Sequence, residues 1–386
     1  MKHFNIIMLL AAMALATSCG SPKTPAEMRS AHHKNSKGEI VVGFSGPWEM
    51  GTAPELAADA VKGLDLALDE INAGGGIGGR KLSIIRLSDG GTLEEGSKVA
   101  QNFSANPEIC AIIGHESSYI SIPLSIIYEY NGILMITPYS TNTRLTDKGF
   151  RLVFRCVSSD SHVGERLALL CSQKGYKRVM IYHAENMYGR GIANAFESGC
   201  QKYGMEVPDR QSFSENSLSE INKDMAFWRD NYSFDAIFVG ADTAEAGAVV
   251  KIAADLEIDA ALLGPESLDT PDLLKIAGDS AEGVFAASVF SSDNESDAAK
   301  HFLDAFSRKY GYAPDATAAQ SYQALKVLAK AIEQAGSTDP SRIADAMRAL
   351  QWDGVTGPVL FDERGELETS HVVVKQVKGG KFVMVE

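Results

Sequence analysis

Residues 109–141 read ICAIIGHESSYISIPLSIIYEYNGILMITPYST and contain two short apolar runs, 109–114 and 133–137, on either side of a helical stretch. Strands this short and this apolar, when they alternate with helices, are typical of a parallel sheet that is covered on both faces. Hydroxyl-bearing residues follow each run. The stretch therefore predicts a strand–helix–strand unit with polar side chains beyond the carboxyl end of each strand.

The same alternation continues on both sides of this unit and predicts an α/β fold. A helix is expected over 55–73, and Thr92 with Glu95 is the capping box of the next one. Further apolar strands are predicted at 40–44, 82–87, 179–182, 236–239 and 261–264. The chain ends differently, on a predicted hairpin of 372–377 and 381–385 across Gly379 and Gly380. A chain of 386 residues suffices for two lobes of roughly 150 residues each.

The first residues have the pattern of an export signal. Lys2 precedes an apolar run from 4 to 16, and small residues then lead to Cys19. A run of this length is too short to cross a bilayer stably, so 1–18 is predicted to be a secretory signal. A cysteine at this place resembles a lipoprotein box, which predicts lipidation of Cys19. Ala16 stands where such boxes usually carry Leu, so a plain secretory signal is the alternative.

Residues 20–37 are polar and partly basic and have no apolar periodicity. A segment of this kind buries too little apolar surface to offset its ordering entropy. Residues 19–38 are therefore predicted to be a lipidated tether without packed structure.

Composition excludes several classes of function. The chain has 50 acidic and 36 basic residues, which argues against nucleic acid as a partner. No Cys-x-x-Cys motif or Cys/His cluster occurs in the sequence, so no metal or other cofactor is expected. The cysteines after Cys19 lie in or beside apolar runs, and they are Cys110, Cys156, Cys171 and Cys200. They could be buried free thiols or form disulfides, and the sequence leaves both alternatives open.

A glycine motif at the end of the first predicted helix has a structural explanation. Gly74, Gly76 and Gly79 match G-x-G-x-x-G. A dinucleotide site needs these glycines after a strand and at the start of a helix, whereas here they end a helix and lead into a strand. They therefore predict a turn. The sequence contains no convincing catalytic triad, acid/base pair or Walker loop, so binding is expected rather than catalysis.

Several sequence blocks occur together in a characteristic order: DEINAGGGI (69–77), IGH (113–115) with Ser117 and Ser118, GILMITP (132–138), Tyr188-Gly189, GPE (264–266), AEG (281–283), and Gly357-Pro358 with Phe361-Asp362. In this order they resemble the leucine/isoleucine/valine-binding family of type I periplasmic binding proteins. The resemblance covers 39–367, most of the chain beyond the signal.

The resemblance implies two Rossmann-like α/β lobes with mainly parallel sheets, joined by a three-segment hinge. Lobe 1 is expected to comprise 39–158 and 288–362, and lobe 2 to comprise 159–287 and 363–386. A ligand would lie between the lobes at the carboxyl ends of the strands, which is where open α/β sheets generally bind ligands. Binding would then close the hinge.

The polar residues of this cleft suggest a site for a zwitterion. Ser117 and Ser118 follow a strand and open a helix, where hydroxyls and free N–H groups suit a carboxylate. The resemblance implies that Thr141 is a second hydroxyl contact and that Glu266, in the other lobe, meets the ligand's ammonium. Simple capping is the alternative for Ser118 and Thr141, and a solvated surface carboxylate is the alternative for Glu266.

Other cleft positions differ from those of branched-chain amino-acid binders. Asp242 stands where those proteins carry an aromatic residue, Tyr139 replaces a small residue, and Trp48 lies in the first loop. The pocket is therefore expected to be narrower and more polar than one for leucine, unless the tyrosines merely pack at its rim. The resemblance also places Ser140, Tyr188 and Thr317 at the cleft.

The resemblance implies a receptor of an ABC importer that binds an amino acid, either of the branched-chain type or more polar, or a close analogue. Its partners would be permease and ATPase subunits, and it would be a monomer held by its lipid at the extracytoplasmic face of a membrane of the cell envelope. Two alternatives stay open. One is a sensor that signals to a membrane partner, and the other is a binder of a small amide or carboxylate.

Overall fold

Strands and helices alternate through most of the computed structural model, which describes residues 22–47, 54–214, 217–292, 294, 296–368 and 371–385. The predicted signal 1–18, Cys19 and Trp48 lie outside these residues. The helices of the described chain are α1 (Pro25–His33), α2 (Pro54–Ala73), α3 (Leu93–Ala105), α4 (Ser118–Asn131), α5 (Asp160–Gln173), α6 (Met187–Lys202), α7 (Leu218–Asn231), α8 (Thr243–Asp255), α9 (Pro271–Ala277), α10 (Asp297–Tyr310), α11 (Ala316–Ala335) and α12 (Pro340–Ala349). In the described residues, no helix is long and apolar enough to span a membrane.

Two large sheets and one small one hold the strands of the described chain. The strands are β1 (Ile40–Gly46), β2 (Leu82–Ser88), β3 (Ile109–Ile113), β4 (Leu134–Thr137), β5 (Val153–Arg155), β6 (Val179–Ala184), β7 (Arg210–Phe213), β8 (Ala236–Gly240), β9 (Ala261–Gly264), β10 (Phe285–Ser288), β11 (Trp352–Gly354), β12 (Gly357–Val359), β13 (Val373–Lys378) and β14 (Lys381–Met384). The small sheet is the hairpin of β11 and β12.

The first large sheet is the centre of lobe 1. Its described strands are all parallel and have the order β2-β1-β3-β4-β5. Every residue of β3 is buried, as its continuous apolar sequence predicts. Helices α3 and α4 pack together over one face, while α2, α11 and α12 cover the other. The carboxyl ends of β3 and β4 are thus the edge from which the loops before and after α4 emerge.

The second large sheet is the centre of lobe 2. Its order is β14-β13-β10-β9-β8-β6-β7, with a parallel part from β7 to β10 and an antiparallel hairpin at the other edge. The hairpin turns at Gly379 and Gly380, both with positive φ, as predicted. The described chain passes from the first sheet to the second after β5, returns after β10, and passes again before β13. These crossings join the two lobes of the predicted α/β fold.

The strands that the sequence does not predict are short. β5, β7 and β10 have three or four residues, and β7 (RQSF) is a mostly polar strand at the sheet edge. The predicted turn at Gly74, Gly76 and Gly79 is confirmed, because α2 ends at Ala73 and the chain turns into β2. The cysteines that follow the predicted lipidation site are free, buried thiols in this structure: Cys110, Cys156, Cys171 and Cys200.

The prediction of an unpacked tether over 19–38 is wrong for the residues that form α1. Thr24 and Glu27 form a capping box, and Pro25 stands at the first turn. Arg29 is 6% exposed, and its guanidinium donates to the main-chain oxygens of Asn131, Asn106, Ile109 and Ser104 at 2.7–2.9 Å. One buried, fully bonded arginine therefore docks the helix on lobe 1, a contact that apolar periodicity does not reveal.

The predicted lobe boundary after residue 362 lies a few residues too early. Arg155 N donates to Gly365 O, and the side chain of Leu367 belongs to the apolar core of lobe 1. Glu366 forms an ion pair with Arg155, whose guanidinium is fully buried. Residues 363–367 therefore pack on lobe 1, and the chain leaves that lobe after them. The other boundaries stay predictions.

Candidate functional site

The start of α4 places two serines at the carboxyl end of β3. Ser117 is the N-cap, and its Oγ accepts a hydrogen bond of 3.2 Å from the N–H of Tyr119. Ser118 is buried, and its Oγ accepts a hydrogen bond of 3.3 Å from the N–H of Asn142 in the next loop. Both serine hydroxyls thus accept hydrogen bonds from main-chain N–H groups, at a helix N-terminus that favours an anion.

Hydrogen bonds of hydroxyl groups fix the conformation of the loop after β4. Thr137 Oγ1 accepts from the N–H groups of Tyr139 and Ser140 at 3.3 and 3.1 Å. Ser140 Oγ lies 2.5 Å from Ser121 Oγ and within 3.2 Å of His115 O. The two loops of lobe 1 are therefore bonded directly to each other.

Thr141 carries a buried hydroxyl without a hydrogen-bond partner. The residue is 1% exposed, and Oγ1 makes no hydrogen bond to the described protein. Most buried polar atoms in folded proteins are bonded, so a buried orphan needs an explanation. A ligand atom at this place would satisfy it.

On lobe 2, Glu266 follows β9 and Tyr188 lies in the first turn of α6. The Tyr188 hydroxyl donates to Glu266 Oε1 at 3.0 Å, whereas Oε2 is buried without a partner. Burial raises the pKa of Glu266 to about 7, and the negative charges of Asp160 and Asp242 add to the rise. One oxygen of this carboxylate is thus oriented, and the other is available for a cation.

Asp160, which the sequence analysis does not include, lies where the chain enters lobe 2. It is 1% exposed, and its N–H donates to Thr141 O at 2.8 Å. Burial raises the pKa of Asp160 to about 6. The Thr141 hydroxyl is close enough to oppose that rise in pKa, but no hydrogen bond of normal geometry joins the two side chains. The carboxylate oxygens, like the hydroxyl, have no hydrogen-bond partner among the described residues.

The two lobes approach closely beside Asp160. Asn142 Nδ2 of lobe 1 donates to Met187 O of lobe 2 at 3.1 Å. A Cβ atom added to Gly191 would lie 2.2 Å from Asn142 Nδ2 and 2.5 Å from Asp160 Oδ2. Glycine at 191 is therefore required for this approach of α6 to lobe 1.

Glu116 is a second cleft residue that the sequence analysis misses. It stands between β3 and the N-cap Ser117, and burial raises its pKa to about 7, with further contributions from the charges of Asp89 and Asp242. Asp242 is the exposed N-cap residue of α8, and it makes no side-chain cap hydrogen bond. Asp242 belongs to lobe 2, so the pKa of Glu116 in lobe 1 is raised in part by a charge of the other lobe. A carboxylate between a strand end and an N-cap serine is the signal that could have identified Glu116.

Tyr139 and Thr317 are bonded to each other within lobe 1. The Tyr139 hydroxyl donates to Thr317 O at 3.2 Å and also contacts the Ser321 hydroxyl. Burial raises the pKa of Tyr139 well above its usual value. This tyrosine joins the loop after β4 to the start of α11, which favours a packing role at the rim of the cleft.

Comparisons with known proteins agree with this geometry. A family model of periplasmic binding proteins matches residues 39–381. The chain is 32% identical over 332 residues to the Leu/Ile/Val-binding protein of Escherichia coli strain K12, covering 85% of this chain and 87% of that protein. It is 29% identical over 312 residues to the leucine-, isoleucine-, valine-, threonine- and alanine-binding protein of Pseudomonas aeruginosa. That match covers 78% of this chain and 80% of that protein.

Solved structures show the same fold. The ABC transporter substrate-binding protein of Desulfitobacterium hafniense in complex with Leu is 35% identical, with a TM-score of 0.80 over 90% of this chain and 100% of that chain. A leucine-binding protein of Thermotoga maritima is 26% identical, with a TM-score of 0.82, and the match covers 90% of this chain and 98% of that chain. The chain therefore belongs to the periplasmic binding protein family, in the type I branch that contains the Leu/Ile/Val-binding proteins.

Proposed function

We propose that this protein is the extracytoplasmic receptor of an ABC importer and that it binds an amino acid between its lobes. One observation carries the proposal. Ser118, at the N-terminus of α4 in lobe 1, is bonded to Asn142, which in turn donates to Met187 of lobe 2. The next residue, Tyr188, donates to Glu266, a carboxylate whose second oxygen is buried without a partner. An amino acid presents a carboxylate and an ammonium attached to the same carbon, so it can pair with both only between the lobes.

The carboxylate of the ligand would meet the start of α4 and the loop after β4. Ser118 and the main-chain N–H groups of the first turn form the anion site, and the orphan hydroxyl of Thr141 donates a further hydrogen bond. Arg155 holds this loop from behind, because its guanidinium donates to Ser140 O at 2.9 Å and to Asn142 O at 2.7 Å.

The ammonium would meet Glu266. The Tyr188 hydroxyl fixes Oε1, so Oε2 can accept a charge-assisted hydrogen bond without reorganisation. The pKa of Glu266 is raised because the carboxyl is buried near two other carboxylates. A bound ammonium would return that pKa towards its usual range.

Because the ligand contacts come from both lobes, binding favours the closed state over an open one. The protein would then deliver the bound ligand, chemically unchanged, to permease and ATPase partners. We expect the family's bound ligands, such as the Leu in the Desulfitobacterium hafniense complex, to be a guide to the amino-acid class but not to the side chain.

We further propose that Cys19 is lipidated and holds the protein at the membrane. Since α1 is docked on lobe 1 from Pro25 onward, only residues 20–24 would separate lobe 1 from the lipid, at most about 20 Å of extended chain. Replacing Cys19 by Ala and fractionating the cells tests the anchor. Release of the protein from the membrane fraction is expected, and unchanged membrane association would show that the assignment is wrong.

A thermal-shift screen of the full-length protein against the common amino acids tests the ligand class, because a bound ligand raises the melting temperature by mass action. Glu257→Gln changes an exposed carboxylate at the far end of α8 and is the control for Glu266→Gln. The expected result is a stabilising amino acid whose effect is lost in Glu266→Gln and kept in Glu257→Gln. A screen in which no amino acid stabilises the wild-type protein would contradict the proposal.

A further inference from the structure

A buried histidine stands beside the anion site of lobe 1. His115 lies between β3 and Ser117, the N-cap of α4, and it is fully buried. A ring that solvent does not reach is not placed to contact a ligand that enters from solvent. Any part that His115 has in binding is therefore indirect.

Hydrogen bonds hold the imidazole ring of His115 from two sides. Nδ1 lies 2.6 Å from Asp89 Oδ2, and Nε2 lies 2.9 Å from the hydroxyl oxygen of Tyr128. The rings of His115 and Tyr128 also stack, with their centroids 5.9 Å apart and their planes at 18°. Asp89 and Tyr128 are fully buried as well. Because both ring nitrogens are bonded in a buried site, the ring is held in one orientation.

The two partners of the ring come from different parts of lobe 1. Asp89 follows β2, and its N–H donates to Gly46 O at the end of β1 at 3.0 Å. Its second carboxylate oxygen, Oδ1, accepts from the N–H of Gly91 at 3.0 Å. Tyr128 lies near the other end of α4. The histidine ring therefore joins the ends of β1 and β2 to the helix whose first turn forms the anion site.

The main-chain oxygen of His115 is a meeting point for hydroxyl groups. It accepts a hydrogen bond of 3.0 Å from Thr137 Oγ1, and the Oγ atoms of Ser121 and Ser140 lie 3.2 Å from it. Ser121 belongs to α4, whereas Thr137 and Ser140 belong to the end of β4 and the loop after it. One carbonyl oxygen thus orients the hydroxyls that fix both loops around the anion site.

The contact with Asp89 also affects the charge behind the anion site. A buried carboxylate opposes a second anion nearby, and it does so most when its oxygens lack donors. The charge of Asp89 contributes to the raised pKa of Glu116, the residue just before the N-cap, so it acts at this end of α4. Loss of the imidazole would leave Asp89 Oδ2 without the donor that it has in this structure.

On the basis of the proposed function, we infer that His115 is a positioning residue for the carboxylate of the ligand. Its ring, bound by Asp89 and Tyr128, fixes the carbonyl oxygen that orients the two loops of the anion site. Recognition of the carboxylate thus depends on a side chain that does not contact the ligand. Recognition of the ammonium, which is assigned to Glu266 of lobe 2, does not depend on it.

Calorimetric titration of the full-length protein tests the inference, after unfolding in guanidinium and refolding have removed any co-purified ligand. The variants are His115→Gln, which removes the ring, and Tyr128→Phe, which removes one of its two hydrogen bonds. The probes are L-leucine, L-arginine and any other common amino acid that stabilises the wild type, together with amines that lack only the carboxylate, such as isoamylamine and agmatine.

Amino-acid affinity should fall about 10-fold or more in His115→Gln, because a buried carboxylate then loses its donor. It should fall about 2- to 10-fold in Tyr128→Phe, since a single neutral hydrogen bond contributes about that factor. Amine affinity should change by less than about 2-fold in both variants, because the carboxylate site takes no part in amine binding. A merely structural role would weaken amino acids and amines alike.

Tyr182→Phe is the matched control. Tyr182 is fully buried in lobe 2, and its hydroxyl donates to Asp224 Oδ2 at 3.1 Å. This variant should lose stability much as Tyr128→Phe does and should keep wild-type affinity for amino acids and amines.

Unchanged amino-acid binding in both variants, or equal weakening of amino acids and amines, would overturn the inference and leave the proposed function intact. If His115→Gln does not fold, the same two outcomes in Tyr128→Phe decide. If no common amino acid binds the wild-type protein, the inference and the proposed function both fail.

Discussion

The hydroxyl of Tyr188 donates a hydrogen bond of 3.0 Å to Oε1 of Glu266, while Oε2 of the same carboxylate is buried without a partner. One oxygen is therefore oriented by the protein and the other is left for a ligand. On the other lobe, the hydroxyl of Thr141 is also buried without a hydrogen-bond partner among the described residues. Within the described chain, the site has an unpartnered acceptor on one lobe and an unpartnered hydroxyl on the other, which is the arrangement that a zwitterion satisfies.

Glu266→Gln should weaken amino-acid binding by about 2–4 kcal/mol, roughly 30- to 1000-fold. The amide keeps the shape of the side chain but cannot pair with an ammonium, which is then buried without its counter-charge. Titration calorimetry measures the loss. Tyr188→Phe should cost less, about 0.5–1.5 kcal/mol, because it removes only an orienting hydrogen bond. Wild-type affinity in Glu266→Gln would mean that the ligand has no ammonium at this place.

Thr141→Val should weaken binding by about 1–2 kcal/mol, roughly 5- to 30-fold, because valine fills the same volume and has no hydroxyl. Stability should change little, since Oγ1 has no hydrogen bond of normal geometry within the described residues. Thr141→Ser retains the hydroxyl and is the matched control, expected to bind nearly as well as the wild type. If Thr141→Val binds with full affinity, the hydroxyl faces the protein and not the ligand.

The ligand-free protein should become less stable relative to Glu266→Gln as the pH rises. The pKa of Glu266 is raised to about 7 in the folded state, so the folded protein binds more protons than the unfolded one between about pH 4.5 and 7. Its contribution to stability is present below that window and is lost as the pH rises through it. Asp160 and Asp242 face Glu266 and strengthen the effect, whereas Tyr188 opposes it by donating to the carboxylate.

The measurement is the difference in melting temperature between Glu266→Gln and the wild type at about pH 5 and about pH 8. Taking the difference removes the other titrations, among them His33, whose pKa is lowered to about 4 by burial. The variant should gain stability over the wild type at the higher pH. A difference that does not depend on pH would show that Glu266 ionises with an ordinary pKa.

Glu366→Ala should lower the free energy of unfolding by about 3–5 kcal/mol, because it leaves the buried guanidinium of Arg155 without its counter-ion. That guanidinium also holds the carbonyls of the loop after β4, so ligand affinity should fall as well. Asp345→Ala breaks an exposed ion pair with Arg151 and should cost about 0–1 kcal/mol. Urea denaturation compares the two variants, and similar losses in both would contradict the central role of the buried pair.

Much of the fold follows from patterns that burial imposes on the sequence. β3 and β4 are recognisable because strands covered on both faces must be apolar throughout. β7 is not predicted, because an edge strand of four residues can be mostly polar and then has no apolar run. α1 is not predicted, because Arg29 docks the helix through four main-chain oxygens that lie far from it in the sequence, three within 104–109 and one at Asn131.

The residues of the site also divide into those that the sequence predicts and those that it does not. Ser118, Thr141 and Glu266 are predictable because they follow strands in blocks that resemble a known family. Asp160 is not, because nothing local distinguishes a carboxylate that will be buried from one that will face water. Glu116 could have been found from its place between a strand end and an N-cap serine. Only the arrangement of both lobes brings Asp160 beside Thr141.

The most direct test of the two-lobed clamp is calorimetric titration of the wild-type protein with amino acids and with analogues that lack one of the two charges. L-arginine is compared with agmatine and guanidinovaleric acid, and L-leucine with isoamylamine and isocaproic acid. Removal of either the carboxylate or the ammonium from the amino acid that binds should cost at least about 2 kcal/mol, roughly 30-fold in affinity. A deaminated analogue that binds as tightly as its parent amino acid would contradict the pairing of Glu266 with an ammonium and, with it, the account of the cleft.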